Sequence, residues 1–172
     1  VVGLGVGTIA SYAEPGDRFR IYEINSQVEE LARSHFTYLA DCKGKETVVL
    51  GDARVSLERE LAKGETQQFD ALFVDAFSGD SIPIHLLTRE AVAVYRRHLR
   101  PGGVLAFHAT NRYLDIARVV LGVASAEGLA ATHVVDQVAP EEPDGYANTD
   151  WVLVAATLEA LSSPRIVAAA QP

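Results

Sequence analysis

The sequence has a single cysteine, Cys42, and no methionine among its 172 residues. One cysteine excludes an internal disulfide and a thiolate-rich metal cluster, and it is typical of a reducing compartment, so we expect a cytoplasmic protein. No apolar run reaches about 18 residues, which predicts no membrane contact by this chain itself. Because the sequence opens inside a strand-like segment without an initiator methionine, we also expect it to be part of a longer chain.

Basic residues are few as well. Fifteen Lys and Arg stand against 23 Asp and Glu, which gives a formal net charge of −8. This balance disfavours a nucleic-acid backbone as a partner and mildly favours a cationic ligand, although ordinary acidic solubility is enough to explain it. No two of the five histidines make a metal-ligand spacing, so no metal site is predicted.

The sequence does contain a regular alternation of strand-like and helix-like segments. Five β-α repeats followed by a closing strand pair predict an α/β fold with a doubly wound, mostly parallel, seven-stranded sheet. The last two strands should pair antiparallel, because no helix-length pattern separates them. We expect one domain over 1–161 and a loosely attached tail over 162–172. The predicted strands are the segment before the first glycines, 19–24, 46–50, 69–74, 104–107, 130–136 and about 150–157.

Helix signals lie between these strands. A short helix is predicted over 8–13, and Ser26 with Glu29 forms a capping-box pattern before the next helix. Thr88 should open a helix that continues to Leu99. The two remaining helices are predicted over about 53–63 and about 113–127.

The first residues form a glycine-rich turn after a buried strand. Gly3, Gly5 and Gly7 let the backbone approach a ligand closely, and Glu23 closes the next strand, where an acidic side chain accepts hydrogen bonds from ribose hydroxyls. An acidic residue at that place has little structural purpose. The pattern therefore predicts an adenosine-containing cofactor.

The choice of cofactor depends on later residues. Residues 5–10 fit the G-x-G-x-x-A pattern of dinucleotide-binding proteins, so a nicotinamide cofactor is a legitimate candidate. The tighter glycine ladder, the terminal strand pair and Gly51-Asp52-Ala53 after the third strand favour a sulfur nucleoside instead. Asp52 is placed to reach an adenine amino group, although it could equally cap the helix that starts at Ala53.

Two further segments resemble a known family. Residues 69–83 and 99–105 resemble the stretches in which spermidine synthases (aminopropyltransferases) present their catalytic aspartate and enter their fifth strand. Residues 75–88 and 108–113 are similar to spermidine synthase-like proteins that are often fused to membrane transport domains. The resemblance covers roughly residues 1–157, and it implies the class I S-adenosylmethionine methyltransferase-like Rossmann fold.

The resemblance implies a site and its ligands. Asp75 would be the catalytic carboxylate, and Asp80 would bind a small cationic amine, although a turn role also explains Asp80. Tyr146, in the acidic loop, would overhang that substrate. Decarboxylated S-adenosylmethionine or S-adenosylmethionine would be the nucleoside, and homodimerisation stays open. The residues expected to bind the nucleoside are Gly3, Gly5, Gly7, Glu23, Asp52 and Ala53.

Other residues leave three functions open. Val6 stands where the family carries an aspartate that grips the amino group of the decarboxylated nucleoside. The chain also lacks the family's β-rich N-terminal segment. An aminopropyltransferase-like enzyme is favoured by the acidic residues, while Val6 favours a methyltransferase or a non-catalytic nucleoside-binding domain. Tyr113 and Trp151 are expected to be packing groups. His108, at the end of the fifth strand, is expected to pack in the core, although it could also line the pocket.

Overall fold

A computed structural model describes residues 1–77, 82–137 and 147–170. The chain divides into two units, Val1–Glu65 and Thr66–Pro172, which are described in turn. Within the described ranges, no helix combines the length and apolar character that a membrane span requires.

The first unit is built on a pair of parallel strands. They run in register from Arg18 opposite Lys45 to Glu23 opposite Leu50. On the other edge of the first of them, Val2 forms a parallel bridge to Tyr22, whose carbonyl accepts a hydrogen bond of 2.9 Å from the Gly3 N–H. The elements of this unit are a 3₁₀ helix (Thr8–Tyr12), β1 (Arg18–Glu23), α1 (Ser26–His35), β2 (Lys45–Leu50) and α2 (Ala53–Ala62).

The N-cap of helix α1 lies one residue earlier than predicted. The side chain of Asn25 accepts a hydrogen bond of 3.0 Å from the Gln27 N–H, which makes Asn25 the N-cap and Ser26 the first helical residue. The prediction that Ser26 caps this helix is therefore wrong. Asn and Ser are about equally good caps, so the sequence alone does not separate the two positions.

The apolar core of the first unit lies beneath the glycine turn. Cys42 packs against its edge. Burial of these side chains is the main term that stabilises the unit. The core residues are Leu4, Ala10, Ile21, Ala32 and Leu39.

A polar cluster joins α2 to β1. The Arg20 guanidinium donates to Oε1 of Glu60 at 2.5 Å, and the Tyr22 hydroxyl donates to Oε2 of the same carboxylate at 2.9 Å. Tyr22 and Glu60 are buried. Burial, together with the Glu60 carboxylate, raises the pKa of Tyr22. The hydroxyl therefore keeps its proton and remains a donor.

The second unit contains a four-stranded sheet in the order β3-β4-β6-β5. Strands β3 and β4 are parallel, whereas β6 runs antiparallel to both β4 and β5. The predicted antiparallel pairing of the last two strands is confirmed. The strands are β3 (Phe69–Val74), β4 (Leu99–His108), β5 (Ala130–Asp136) and β6 (Thr149–Ala155).

Strand β4 is longer than the sequence pattern indicates. Leu99 already pairs with Phe69, and an irregularity between Phe69 and Ala71 absorbs the extra residues before regular pairing resumes at Val104. A side chain at Gly103 would place its Cβ 2.8 Å from the Phe69 carbonyl oxygen, so only glycine fits this close approach. Gly102 and Gly103 therefore lie within the strand.

The helices of the second unit begin at side-chain caps. Thr88 caps α3 as predicted, and Asp115 caps α4 by accepting a 2.9 Å hydrogen bond from the Arg118 N–H. Residues 164–169, within the expected tail, form a short helix, and Ala170 bridges to Val134 of β5. The helices are α3 (Arg89–His98), α4 (Ile116–Ala126) and α5 (Pro164–Ala169), with 3₁₀ turns at Ile84–Leu86 and Leu158–Leu161.

The strand count corrects the predicted sheet. The described residues form six strands in sheets of two and four, rather than seven strands in one sheet. The predicted first strand is reduced to the bridge at Val2. At Gly3 the backbone turns into the left-handed region with a φ of 96°, which ends extended pairing directly after Val2.

Candidate active site

The glycine turn has the backbone conformation that the sequence predicts. Gly3, Gly5 and Gly7 all have positive φ, at 96°, 55° and 86°, which L side chains rarely adopt. A Cβ built on Gly5 meets no atom within 4 Å, whereas one on Gly7 would approach Leu39 to 3.0 Å. A side chain at Gly7 would therefore crowd Leu39 as well as strain the backbone, whereas Gly5 leaves open space beside the turn.

Glu23 lies at the end of β1 and has two protein partners. Its Oε2 accepts from the Leu4 N–H at 3.0 Å, and its Oε1 accepts from the Asn25 N–H at 2.8 Å. The side chain thus connects the glycine turn to the strand, and the expectation that it has little structural purpose is wrong. A carboxylate offers about four acceptor positions, so two remain for ribose hydroxyls.

Asp52 follows β2 at the same edge as Glu23. The Gly51 N–H donates to the Glu23 carbonyl at 2.8 Å, which brings the two strand ends together. Oδ1 of Asp52 accepts from the Val55 N–H at 2.9 Å and caps α2, so the structural role left open by the sequence is present. Ala53 is buried in the first turn of α2, which leaves its backbone as the part that could contact a ligand.

These residues fit the adenosine part of a sulfur nucleoside. The open space at Gly5 admits a close ligand, and the Glu23 carboxylate supplies acceptors for hydroxyl groups. Ile24, which the sequence analysis did not single out, is 73% exposed beside Glu23. An exposed apolar side chain next to a buried acid suits a purine face beside a ribose.

In the second unit, Asp75 forms a short contact with His108. Parallel pairing of Val74 with Phe107 sets the carboxyl ends of β3 and β4 side by side. Asp75 follows Val74 and His108 follows Phe107, which places the two side chains next to each other. Oδ1 of Asp75 lies 2.6 Å from Nδ1 of His108. The Asp75 side chain is 43% exposed, so this carboxylate is open to a ligand at the carboxyl end of the strand.

His108 has contacts on its other sides as well. Its ring stacks on Trp151 with centroids 4.6 Å apart and planes at 8°, and Phe77 meets it edge to face at 5.1 Å. Nε2 lies 2.9 Å from the Thr110 hydroxyl, which accepts a hydrogen bond of 2.7 Å from the Asp150 N–H. Every polar atom of the imidazole therefore has a partner.

Sequence reasoning favoured core packing for His108 over lining the pocket, and it missed the ring as a polar partner of Asp75. The available signal was its place at the end of a strand predicted to lie beside the strand that ends at Asp75. Trp151 is a packing group as expected, but Tyr113 is 77% exposed and is not. Asn111 holds that segment through hydrogen bonds from the Tyr113 and Leu114 N–H groups, each 2.8 Å.

Two predicted substrate residues, Asp80 and Tyr146, lie outside the described residues. Their roles stay predictions. Across residues 1–77, 82–137 and 147–170, no cluster of three or more His, Cys, Asp or Glu side chains could hold a metal ion.

Comparison with curated proteins decides the family. No family model matches the chain. Over 120 residues, the chain is 37% identical to the polyamine aminopropyltransferase of Vibrio vulnificus (strain CMCP6), covering 67% of this chain and 39% of that protein. It is 30% identical over 108 residues to the probable polyamine aminopropyl transferase of Bifidobacterium longum (strain NCC 2705), covering 61% and 22% respectively. The chain belongs to the spermidine synthase-like family.

The resemblance to the spermidine synthase family that the sequence indicated is confirmed, and the chain covers only part of each relative's length. This spermidine synthase-like chain spans about two fifths of the Vibrio relative and about a fifth of the Bifidobacterium relative. It is also 29% identical over 109 residues to the N-terminal histidine N-methyltransferase of Emericella nidulans, covering 63% of this chain and 19% of that protein.

Solved structures identify the fold. A spermidine synthase in complex with the transition-state analogue AdoDATO matches 97% of this chain and 56% of its own, with a TM-score of 0.64 and 16% identity. Human methyltransferase-like protein 13 in complex with SAH matches 97% of this chain and 75% of its own, with a TM-score of 0.65 and 18% identity. The spermidine synthase-like chain therefore has the α/β fold of S-adenosylmethionine-dependent methyltransferases.

Proposed function

We propose that the protein is an aminopropyltransferase-like enzyme. It would bind decarboxylated S-adenosylmethionine or a related sulfur nucleoside and transfer the aminopropyl group to a small cationic amine. The observation that carries the proposal is the exposed Asp75 carboxylate at the carboxyl end of β3, within the segment that resembles the family's catalytic stretch. The 37% identity to the Vibrio aminopropyltransferase supports it.

The first unit would hold the nucleoside. Gly3, Gly5 and Gly7 shape a turn with open space at Gly5, and Glu23 would accept hydrogen bonds from the ribose hydroxyls. Ile24 would cover a face of the adenine. Asp52 and the backbone of Ala53 would lie toward the adenine amino group, with Asp52 also capping α2.

Asp75 would accept the proton that the attacking amine must lose. When bound, the sulfur nucleoside supplies a carbon beside a sulfonium, to which the amine nitrogen bonds as the carbon–sulfur bond breaks with its electrons kept on sulfur. An ammonium has no lone pair, so the amine must first be deprotonated, and the Asp75 carboxylate is the described acceptor. Its negative charge also favours the cationic acceptor amine, with Asp80 supplying a second charge by resemblance.

A methyltransferase on the same fold is the second candidate. Val6 favours it, because an apolar side chain cannot grip the amino group of a decarboxylated nucleoside. Val6 is exposed in the turn, and the Emericella N-methyltransferase is among the relatives. Asp75 would then deprotonate an amine that receives a methyl group, and the nucleoside would be one that keeps its methionine carboxylate.

Calorimetric titration would test the ligand class. S-adenosylmethionine, its decarboxylated form, methylthioadenosine and NAD would be titrated side by side into the full-length protein. Tighter binding of the decarboxylated form supports aminopropyl transfer, and tighter binding of S-adenosylmethionine supports methylation. Tight NAD binding with no detectable methylthioadenosine binding would overturn both.

A further inference from the structure

We infer that His108 is a positioning residue that holds one oxygen of Asp75, so that the other oxygen is directed to the amine. The inference rests on the proposed role of Asp75 in amine-directed transfer. It concerns a contact between side chains 33 residues apart, at the ends of the parallel strands β3 and β4.

The location of the proton follows from the chemistry of the pair. An ionised carboxylate only accepts hydrogen bonds, so the 2.6 Å contact requires a proton on Nδ1 of His108. In the neutral ring Nε2 is then an acceptor, and the Thr110 hydroxyl 2.9 Å away donates to it. The Thr110 oxygen also accepts from the Asp150 N–H at 2.7 Å, and its own hydroxyl proton remains to be donated to Nε2. These contacts fit the Nδ1–H tautomer, which an ionised Asp75 requires.

The ring is also fixed in orientation. His108 and Trp151 are cross-strand partners in the antiparallel β4–β6 pairing, and their rings stack at 4.6 Å. The Phe77 ring meets the imidazole edge to face. An imidazole with both nitrogens bonded and its plane packed cannot rotate away without breaking several contacts, so Oδ1 of Asp75 has a fixed donor.

The exposure of the pair indicates a role other than stability. The Asp75 side chain is 43% exposed. An ion pair or hydrogen bond with that much access to water contributes little to the free energy of folding. Among the described residues, Oδ2 of Asp75 has no protein partner. A carboxylate with one oxygen held and the other without a partner among the described residues is the arrangement that a proton acceptor for a bound amine needs, because a misplaced acceptor costs rate steeply.

Two substitutions separate positioning from packing. His108→Phe keeps an aromatic ring for Trp151 and removes the donor, whereas His108→Asn places an amide nitrogen near the Nδ1 position and gives up the ring. In the full-length protein with a saturating nucleoside donor, we expect His108→Phe to lower kcat/KM for the amine by about 10²-fold. His108→Asn should recover most of that loss. Methylthioadenosine affinity should stay the same in both, and His35→Phe on the exposed side of α1 is the matched control.

The reverse order, with His108→Phe active and His108→Asn impaired, would show a packing role and overturn the inference. A second measurement tests the Asp75–His108 contact directly and does not depend on enzymatic turnover. Long-range ¹H–¹⁵N NMR of the imidazole should show the Nδ1–H tautomer in the wild type and a loss of that preference in Asp75→Ala. An Nε2–H tautomer in the wild type would overturn the inference. Absence of transfer to any amine, with the Nδ1–H tautomer in place, would instead refute the proposed function and leave the pair supported.

Discussion

The backbone N–H of Leu4 donates a hydrogen bond of 3.0 Å to Oε2 of Glu23, so one carboxylate fastens the glycine turn to the end of β1. Its other oxygen accepts from the Asn25 N–H at the start of α1. The residue proposed to bind ribose therefore also organises the loop that would surround the ribose. Binding and local order are coupled at this position.

The first prediction follows from that coupling. Glu23→Gln removes a charged acceptor and turns an amide N–H₂ group toward one of the two backbone N–H donors. We expect methylthioadenosine binding to weaken by about 1–3 kcal/mol, measured by calorimetry, and the free energy of unfolding to fall by a similar amount. Glu30→Gln, which makes the same charge change on the exposed side of α1, should alter neither quantity. Unchanged methylthioadenosine affinity in Glu23→Gln would refute the assignment of the ribose site.

Substitutions at Asp52 can separate its role as the cap of α2 from its proposed contact with the ligand. Asp52→Ser keeps a side-chain oxygen for the Val55 N–H, whereas Asp52→Ala removes it. We expect Asp52→Ala to lower the free energy of unfolding in urea by about 1 kcal/mol and Asp52→Ser to lower it much less. If Asp52 also binds the adenine amino group, both variants should bind methylthioadenosine more weakly. Full affinity in Asp52→Ser would leave Asp52 with the capping role alone.

The buried hydroxyl of Tyr22 predicts a pH dependence of stability. Burial and the Glu60 carboxylate raise its folded pKa above the ordinary value of 10.0. Above about pH 10 the unfolded tyrosine loses its proton while the folded one keeps it, so unfolding becomes more favourable as pH rises. The stability difference between wild type and Tyr22→Phe should be constant up to about pH 9 and shrink above about pH 10, as measured by urea unfolding. A difference that stays constant to about pH 11 would contradict this account.

Periodicity and strand-end chemistry predicted most of the fold. The mostly apolar run over 69–74 forms a strand whose Leu72 and Val74 are buried, and Thr88 signals a helix start through its own side chain. The wrong predictions are local and concern choices that the sequence leaves evenly balanced, such as whether Asn25 or Ser26 caps helix α1. The reduced first strand is another, because a strand needs successive paired residues and the described residues before Gly3 form a single isolated bridge, at Val2.

The candidate site was less predictable than the fold. Asp75 and Glu23 are visible because each ends a strand. The Asp75–His108 contact depends on the register of β3 against β4, and a shift by one residue would move His108 to the other face of the sheet. The two hydrogen bonds of Glu23 depend likewise on how Leu4 and Asn25 meet it in three dimensions. Such contacts arise from tertiary structure, which spacing along the chain does not encode.

The central claim concerns Asp75 as the proton acceptor of an amine-directed transfer. Asp75→Asn keeps the size of the side chain and can still accept from His108, but it cannot take up a proton. Asp80→Asn, by resemblance, should mainly raise the KM for the amine, because it removes charge from the acceptor site. Asp70→Asn is the matched control, since Asp70 is an exposed aspartate near the start of β3 that pairs with Arg100.

The most direct measurement is aminopropyl transfer from decarboxylated S-adenosylmethionine to putrescine by the full-length protein and these three variants, with methylthioadenosine affinity measured in parallel. The account predicts transfer by the wild type and by Asp70→Asn, and loss of turnover in Asp75→Asn with nearly unchanged nucleoside affinity, since Glu23 and the glycine turn remain. Wild-type rates in Asp75→Asn, or methylation of an acceptor in place of aminopropyl transfer, would contradict it.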